Sequence, residues 1–200
     1  MSTLSWVWRW RVAWLALACM GAGCAQTGTT VVSRTEKTRY PSAQRLLVVS
    51  QVAWADAAWA GAFEKALLAE LHTVSIQVRV QSRNPLALQA DKSQYAAEIR
   101  DFQPDVVLVV EPSDGTVDAR GRSLMRRFEA GLFRHYTERA KRDLAWRATI
   151  EVQPAGSYIT ATDMPALARD LVARLTADGT LPKQKRGVRA SPVTTGGRAF

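Results

Sequence analysis

The chain has 200 residues, 47% of them apolar and 22% charged, and its 27 Lys+Arg against 18 Asp+Glu give a formal charge of +9. That is about one domain's length, and the composition excludes a collagen-like chain, a wholly disordered one and a multi-pass membrane protein. An excess of bases this large points to nucleic acid or another anionic surface, unless the charge is confined to a few segments.

Residues 1–11 carry Arg9 and Arg11 and no acid, and an apolar run follows from Val12 to about Gly23. A basic stretch followed by about 12 apolar residues predicts an export signal, since spanning a hydrocarbon core takes about 20. Trp6, Trp8, Trp10 and Trp14 bracket the arginines, as amphipathic rings do at a bilayer interface. The run ends in Gly21-Ala22-Gly23-Cys24, which resembles the lipobox of bacterial lipoproteins. Small side chains let the backbone lie extended in a protease groove, and the cysteine supplies a nucleophilic sulfur. The resemblance implies cleavage between Gly23 and Cys24, acylation of Cys24, and a bilayer as partner through that lipid. Leu usually stands three residues before the cysteine, where this chain has Gly21. Cys19 is a competing site, but apolar sequence continues past it. Cleavage at Gly23 would leave one cysteine and no possible intrachain disulfide. Several acyl chains hold a protein far more firmly than one, at about 0.8 kcal/mol per buried methylene. Ala25 follows the cysteine. In lipoproteins an Asp there favours inner-membrane retention, so the resemblance implies the periplasmic leaflet of the outer membrane.

Residues 24–43 are rich in Thr, Ser and Gly and predict a flexible tether. A domain is expected over 44–181. Leu46–Val49 reads as a buried strand. Trp54 to His72 reads as a helix capped by Asp56, with Ala58, Ala62, Leu67/Leu68 and Leu71 on its apolar stripe and Phe63 and Ala66 beside it. Val74, Ile76, Val78 and Val80 alternate with polar residues, the pattern of a half-buried strand. Ser93 to Phe102 suits a short helix ended by Pro104, and Val106–Val110 a central strand. Leu144, Trp146, Ala148, Ile150 and Val152 line one face of a further strand. Asp163-Met164-Pro165 opens a last helix, with Asp163 as cap, that Gly179 closes. Arg122 to Arg142 has two readings. Leu124, Phe128, Leu132 and Tyr136 recur at helical spacing, whereas Ala130, Leu132, Arg134 and Tyr136 would line a strand turning back into 144–152. No Gly, Pro or Asn marks a turn at 137–142, which counts against the hairpin; it is favoured only by the family resemblance given below. Residues 182–200 hold five bases and no acid, the composition of a disordered basic tail.

Chemistry-bearing motifs are sparse. His72 and His135 are far apart and have no ligand-spaced partners; His72 ends a helix, where a cation meets the dipole favourably. Walker, Gly-x-Gly-x-x-Gly and Gly-x-Ser-x-Gly patterns are absent. Glu111-Pro112-Ser113-Asp114-Gly115-Thr116 resembles the signature of haloacid-dehalogenase phosphatases, but Pro112 occupies the nucleophile position, so these residues read as a turn. No catalytic residue, metal or cofactor is implied. Residues 119–147 carry nine bases against Glu129, Glu138 and Asp143, which makes Arg120, Arg122, Arg126, Arg127 and Arg134 a candidate basic binding face. In the exported compartment its partners would be lipopolysaccharide phosphates, peptidoglycan carboxylates or an acidic envelope protein, not nucleic acid.

Three segments carry a wider likeness: the strand–helix–strand opening, the strand following Pro104, and Leu144–Val152 with Ala177-Asp178-Gly179 closing the final helix. Together they resemble an uncharacterised family of proteobacterial envelope lipoproteins. The order of elements is similar to the α/β domain of lipoproteins that activate penicillin-binding proteins or build the curli secretion channel. The resemblance implies one α/β (α+β) domain, with a mixed sheet of about four to five strands flanked by helices. It implies an accessory or assembly role by binding; a periplasmic hydrolase and a self-assembling channel subunit are the alternatives. Arg9 and Arg11 precede the cut and Lys183, Lys185, Arg186, Arg189 and Arg198 lie in the tail. All 18 acids and 20 of the 27 bases therefore fall within 24–182. The domain itself is nearly neutral.

Overall fold

A computed structural model describes residues 27–35, 43–74, 76–83, 90–134 and 143–182. Among these, six strands form one mixed sheet: β1 (Gly28–Thr35), β2 (Arg45–Ser50), β3 (Gln77–Ser82), β4 (Val106–Val117), β5 (Ser123–Arg134) and β6 (Asp143–Gln153). Their order across the sheet is β1-β6-β5-β4-β2-β3. The β3, β2 and β4 strands run parallel, and β4, β5, β6 and β1 pair antiparallel. Three helices accompany the sheet: α1 (Ala57–His72), α2 (Ala90–Phe102) and α3 (Met164–Ala177). This is the expected α/β class, with one strand more than expected.

The β2–α1–β3 crossover steps one way across the sheet, and β3–α2–β4 steps back over β2. Right-handed connections then place their helices on opposite faces. On one face α1 and α3 bury Phe63, Leu67, Leu71, Leu167, Leu171 and Leu175 against Leu46, Val48, Leu108, Phe128, Trp146 and Ile150. Burying each such side chain stabilises by about 1.5–3 kcal/mol. On the other face, among the described residues, Ile99 and Phe102 of α2 pack with Leu47, Val49, Val107 and Val109. The guanidinium groups of Arg45 and Arg79 lie 5.2 and 5.0 Å from the Phe102 ring centre. Among the described residues, no helix packs on this face over β5 and β6.

Asp56 caps α1 as expected, accepting from the backbone N–H of Ala58 at 2.7 Å. Leu67 and Leu71 are buried as expected, with Phe63, and Ala62 and Ala66 pack beside them, but the stripe is centred on Trp59 and Ala60 at its start, and Ala58 is exposed. Trp59 and Phe63 remove far more apolar area from water than Ala58, and they set the helix's rotation. Gly179 closes α3 with φ +75°, a conformation that favours glycine. Residues 123–134 are strand, antiparallel to β6; residues 135–142, including Tyr136 and His135, lie outside the described residues.

Two expectations are corrected. The composition of 24–43 predicts a tether, yet β1 lies within it and pairs with β6 along its whole length, from Gly28 opposite Gln153 to Thr35 opposite Trp146. Thr and Val suit a pleated edge strand even where little is buried; only Val31 packs on the core, so the hydrophobic signal is faint. The second concerns the turn expected at Ser113–Thr116. There β4 continues through a bulge between Pro112 and Asp114, because proline cannot donate to the ladder. A Cβ on Gly115 would stand 2.8 Å from the Met125 carbonyl oxygen, so glycine lets the strands approach. The turn comes later, at Asp118–Gly121: Asp118 accepts the backbone N–H groups of Arg120 and Arg122, each at 2.9 Å, and the Arg122 side chain at 2.7 Å. Those bonds, the Arg122 backbone first, hold the Asp118 carboxyl below its ordinary value.

Candidate functional site

The five arginines of the expected basic face are not brought together. Arg120 lies in the β4–β5 turn, with Arg122 at its end. Arg126 and Arg127 are neighbours on a strand and so point to opposite faces. Arg134 ends β5, eight residues from Arg126, or about 26 Å at the strand rise. Two of them are engaged with acids: Arg122 with Asp118 at 2.6 Å, and Arg127 with Glu151 at 3.1 Å and Asp114 at 3.7 Å. The charge excess is spread over both sides of a hairpin. Gly23 and Cys24 lie outside the described residues, as do the signal segment and the tail from residue 183.

Sequence reasoning missed two carboxylates, Asp163 buried and Asp178 half-buried, that tie β1 to the domain. Asp178, at the end of α3, accepts from Ser33 Oγ at 2.5 Å, Trp146 Nε1 at 2.8 Å and Arg174 Nε at 3.1 Å. Arg174 Nε also donates to Ser33 Oγ at 2.7 Å. Asp163 accepts from Thr27 Oγ1 at 2.5 Å and from the backbone N–H groups of Ala155 and Thr160 at 3.2 and 2.8 Å. Burial would raise both carboxyls. Their hydrogen bonds, first from Ser33 and Trp146 in one case and from Thr27 and Thr160 in the other, outweigh it and hold both below the ordinary value. Asp163 is thus not a simple cap of α3. It closes a capping box with Thr160 around the turn at Ala161–Asp163, and the Thr160-x-x-Asp163 spacing was the signal for it.

A cavity of about 270 Å³ opens on the α2 face, beside the carboxyl ends of β2 and β3. The crossovers that follow these two strands step to opposite sides, and such a point is where open α/β sheets take ligands. Val49, Val109 and Gly131 lie among its lining residues, with Phe133 and Leu144 as further apolar lining. A Cβ on Gly131 would meet the Phe133 ring at 2.9 Å, so glycine leaves that ring its place. Glu111 stands opposite Glu129 in the β4–β5 register, and Arg147 pairs with Glu129. Gln51 is 5% exposed, and its backbone N–H donates to the Val110 carbonyl at 2.8 Å. Its side-chain carbonyl oxygen is buried with no hydrogen-bond partner among the described residues. The lining therefore sets acceptors from Gln51, Glu111 and Glu129 and the guanidinium groups of Arg83 and Arg147 beside an apolar wall, a set suited to holding a small polar group by hydrogen bonds. Among the described residues no group of three or more His, Cys, Asp or Glu is placed to hold a metal ion. His72 lies at the end of α1, lining a shallow cleft with Ala43, Gln44 and Ile76. Among the described residues, no helix is long and apolar enough to cross a membrane.

The chain is thus a mixed-sheet α/β domain with an N-terminal strand bonded to its edge. No known family's sequence profile matches it, and no curated protein does. Among solved structures it is similar to the PelC dodecamer from Paraburkholderia phytofirmans (15% identity, 75% of this chain and 96% of that one, TM-score 0.42). It is also similar to a lipoprotein from Neisseria meningitidis (12% identity, 68% and 99%, TM-score 0.34). A PDZ domain protein from Parabacteroides distasonis is matched at 10% identity over 86% of this chain and 40% of that one, TM-score 0.40.

Proposed function

We propose that this chain is a lipid-anchored protein of the bacterial envelope, facing the periplasm and acting by binding as an accessory or assembly factor. The observation that carries the reading is Gly21-Ala22-Gly23-Cys24 at the end of an apolar run preceded by arginines. Ala25 after the cysteine favours the outer membrane's periplasmic leaflet. The cavity beside Gln51, Glu111 and Glu129 supports binding as its mode of action. The experiment is expression of the full chain in a Gram-negative host with labelled palmitate, followed by density separation of the two membranes. Label should enter the wild type, vanish in Cys24→Ala, and travel with the outer membrane. Label that survives Cys24→Ala, or a chain found in the cytoplasm, overturns the reading. A photo-crosslinking residue in place of Phe133 should then capture an envelope component; capture of nucleic acid alone would contradict it.

A further inference from the structure

An acylated Cys24 would lie three residues before Thr27, whose hydroxyl is bonded to Asp163 at 2.5 Å. Three residues reach at most about 11 Å, far less than the 20-residue tether read from the sequence. The lipid therefore dictates which end of the domain meets the bilayer. Thr29, Val152, Arg126 and Gly115 form one row across four strands. Beyond that row β1 runs back towards Cys24 while β4 and β5 run on to the Asp118–Gly121 turn. Anchor and turn leave the sheet at the same end, with the turn about 10 Å past the row at the strand rise.

This end is unusually apolar. Of five large hydrophobic residues exposed among the described residues, three lie here: Val117 at 56%, Leu124 at 43% and Tyr158 at 40%. The Ile159 backbone N–H donates to the Ser123 carbonyl at 2.7 Å, which seats the Tyr158 loop beside β5. The Arg122 guanidinium lies 4.8 Å from the Tyr158 ring centre, and Arg120 is exposed at the turn.

Resting on the lipid-anchor reading, we propose that this end of the domain is a membrane-contact surface: Val117, Leu124 and Tyr158 enter the headgroup region of a phospholipid bilayer, with Arg120 and Arg122 facing lipid phosphates. Tyrosine suits that depth, its ring apolar and its hydroxyl wet, and the arginine stems cover apolar surface while their heads reach phosphate. Asp118 pairs sideways with Arg122, so it does not oppose the phosphates unpaired.

The test uses the acylated full-length chain in vesicles of phosphatidylcholine and phosphatidylglycerol. A nitroxide is placed at Leu124→Cys or, at the opposite end of the sheet, at Gln44→Cys. Collisions with an aqueous nickel chelate should be about threefold or more rarer at position 124 than at 44. Arg120→Gln should shift the equilibrium away from contact by about fivefold, the worth of one cation near an anionic surface. Val117→Cys repeats the reading at an independent position. A chain that carries no acyl group or does not float with vesicles overturns the anchor, and this surface with it. A chain that floats but shows equal collisions at 124 and 44 overturns the surface alone. Spin–spin broadening at 124 without vesicles would assign the patch to a second copy of the chain instead.

Discussion

Replacing Asp178 by Ala removes one carboxylate that three side chains share. Trp146 is 1% exposed, and losing its acceptor leaves a buried indole N–H unpaired, at about 1–3 kcal/mol. Ser33 and Arg174 are wetter and can turn to solvent, so their bonds add about 1 kcal/mol between them. The expected loss is about 2–4 kcal/mol, which lowers Tm by about 6–12 °C in a domain of this size. Ser33→Ala is the matched control. It removes one contact without stranding the indole, and should cost about 1 kcal/mol. Thermal unfolding followed by near-ultraviolet circular dichroism reads both variants. An Asp178→Ala protein melting within about 2 °C of wild type, or level with Ser33→Ala, would refute the view that this carboxylate holds β1, β6 and α3 together.

Three further outcomes are expected. Asp163→Ala should release Thr27 and the 160–163 box, so limited proteolysis should cut within residues 27–35 at a protease level the wild type resists. Gly131→Ala should push the Phe133 ring from its place beside the cavity and destabilise by about 1–3 kcal/mol, measured by urea unfolding; a neutral result would mean the ring moves freely. Asp163 and Asp178 both sit below their ordinary values in the folded chain, so the unfolded chain binds their protons first as pH falls. The stability they supply is complete above about pH 5 and is lost as pH falls through their folded values. Acid titrations of Asp163→Asn and Asp178→Asn should show a shallower decline than wild type, and an equally steep decline would assign acid unfolding to other carboxylates.

The candidate sites were only partly legible in the chain. Asp56 could be read as a cap because a cap is a local device: its partners are two and three residues away. Asp178 could not be read as a hub, since its partners Ser33 and Trp146 lie 145 and 32 residues distant. The same holds for the cavity. Gln51, Glu111 and Glu129 belong to three different segments, and only the pairing of β4 with both β2 and β5 makes them neighbours.

By itself, the order of residues placed the three described helices and the core of the strands with strong alternation, because periodicities of 3.6 and 2 are carried within a dozen residues; the α/β class followed from the resemblance those segments carry. It also supplied the lipobox-like end of the apolar run. Tertiary structure alone decided three matters. Residues 28–35 are a strand because β6 offers them an edge, not because they are hydrophobic. Residues 123–134 are a strand because β4 and β6 flank them on both sides, which outweighs a helical spacing of Leu124, Phe128 and Leu132. The arginines from 120 to 134 do not form one face, because successive residues of a strand point to opposite sides of the sheet.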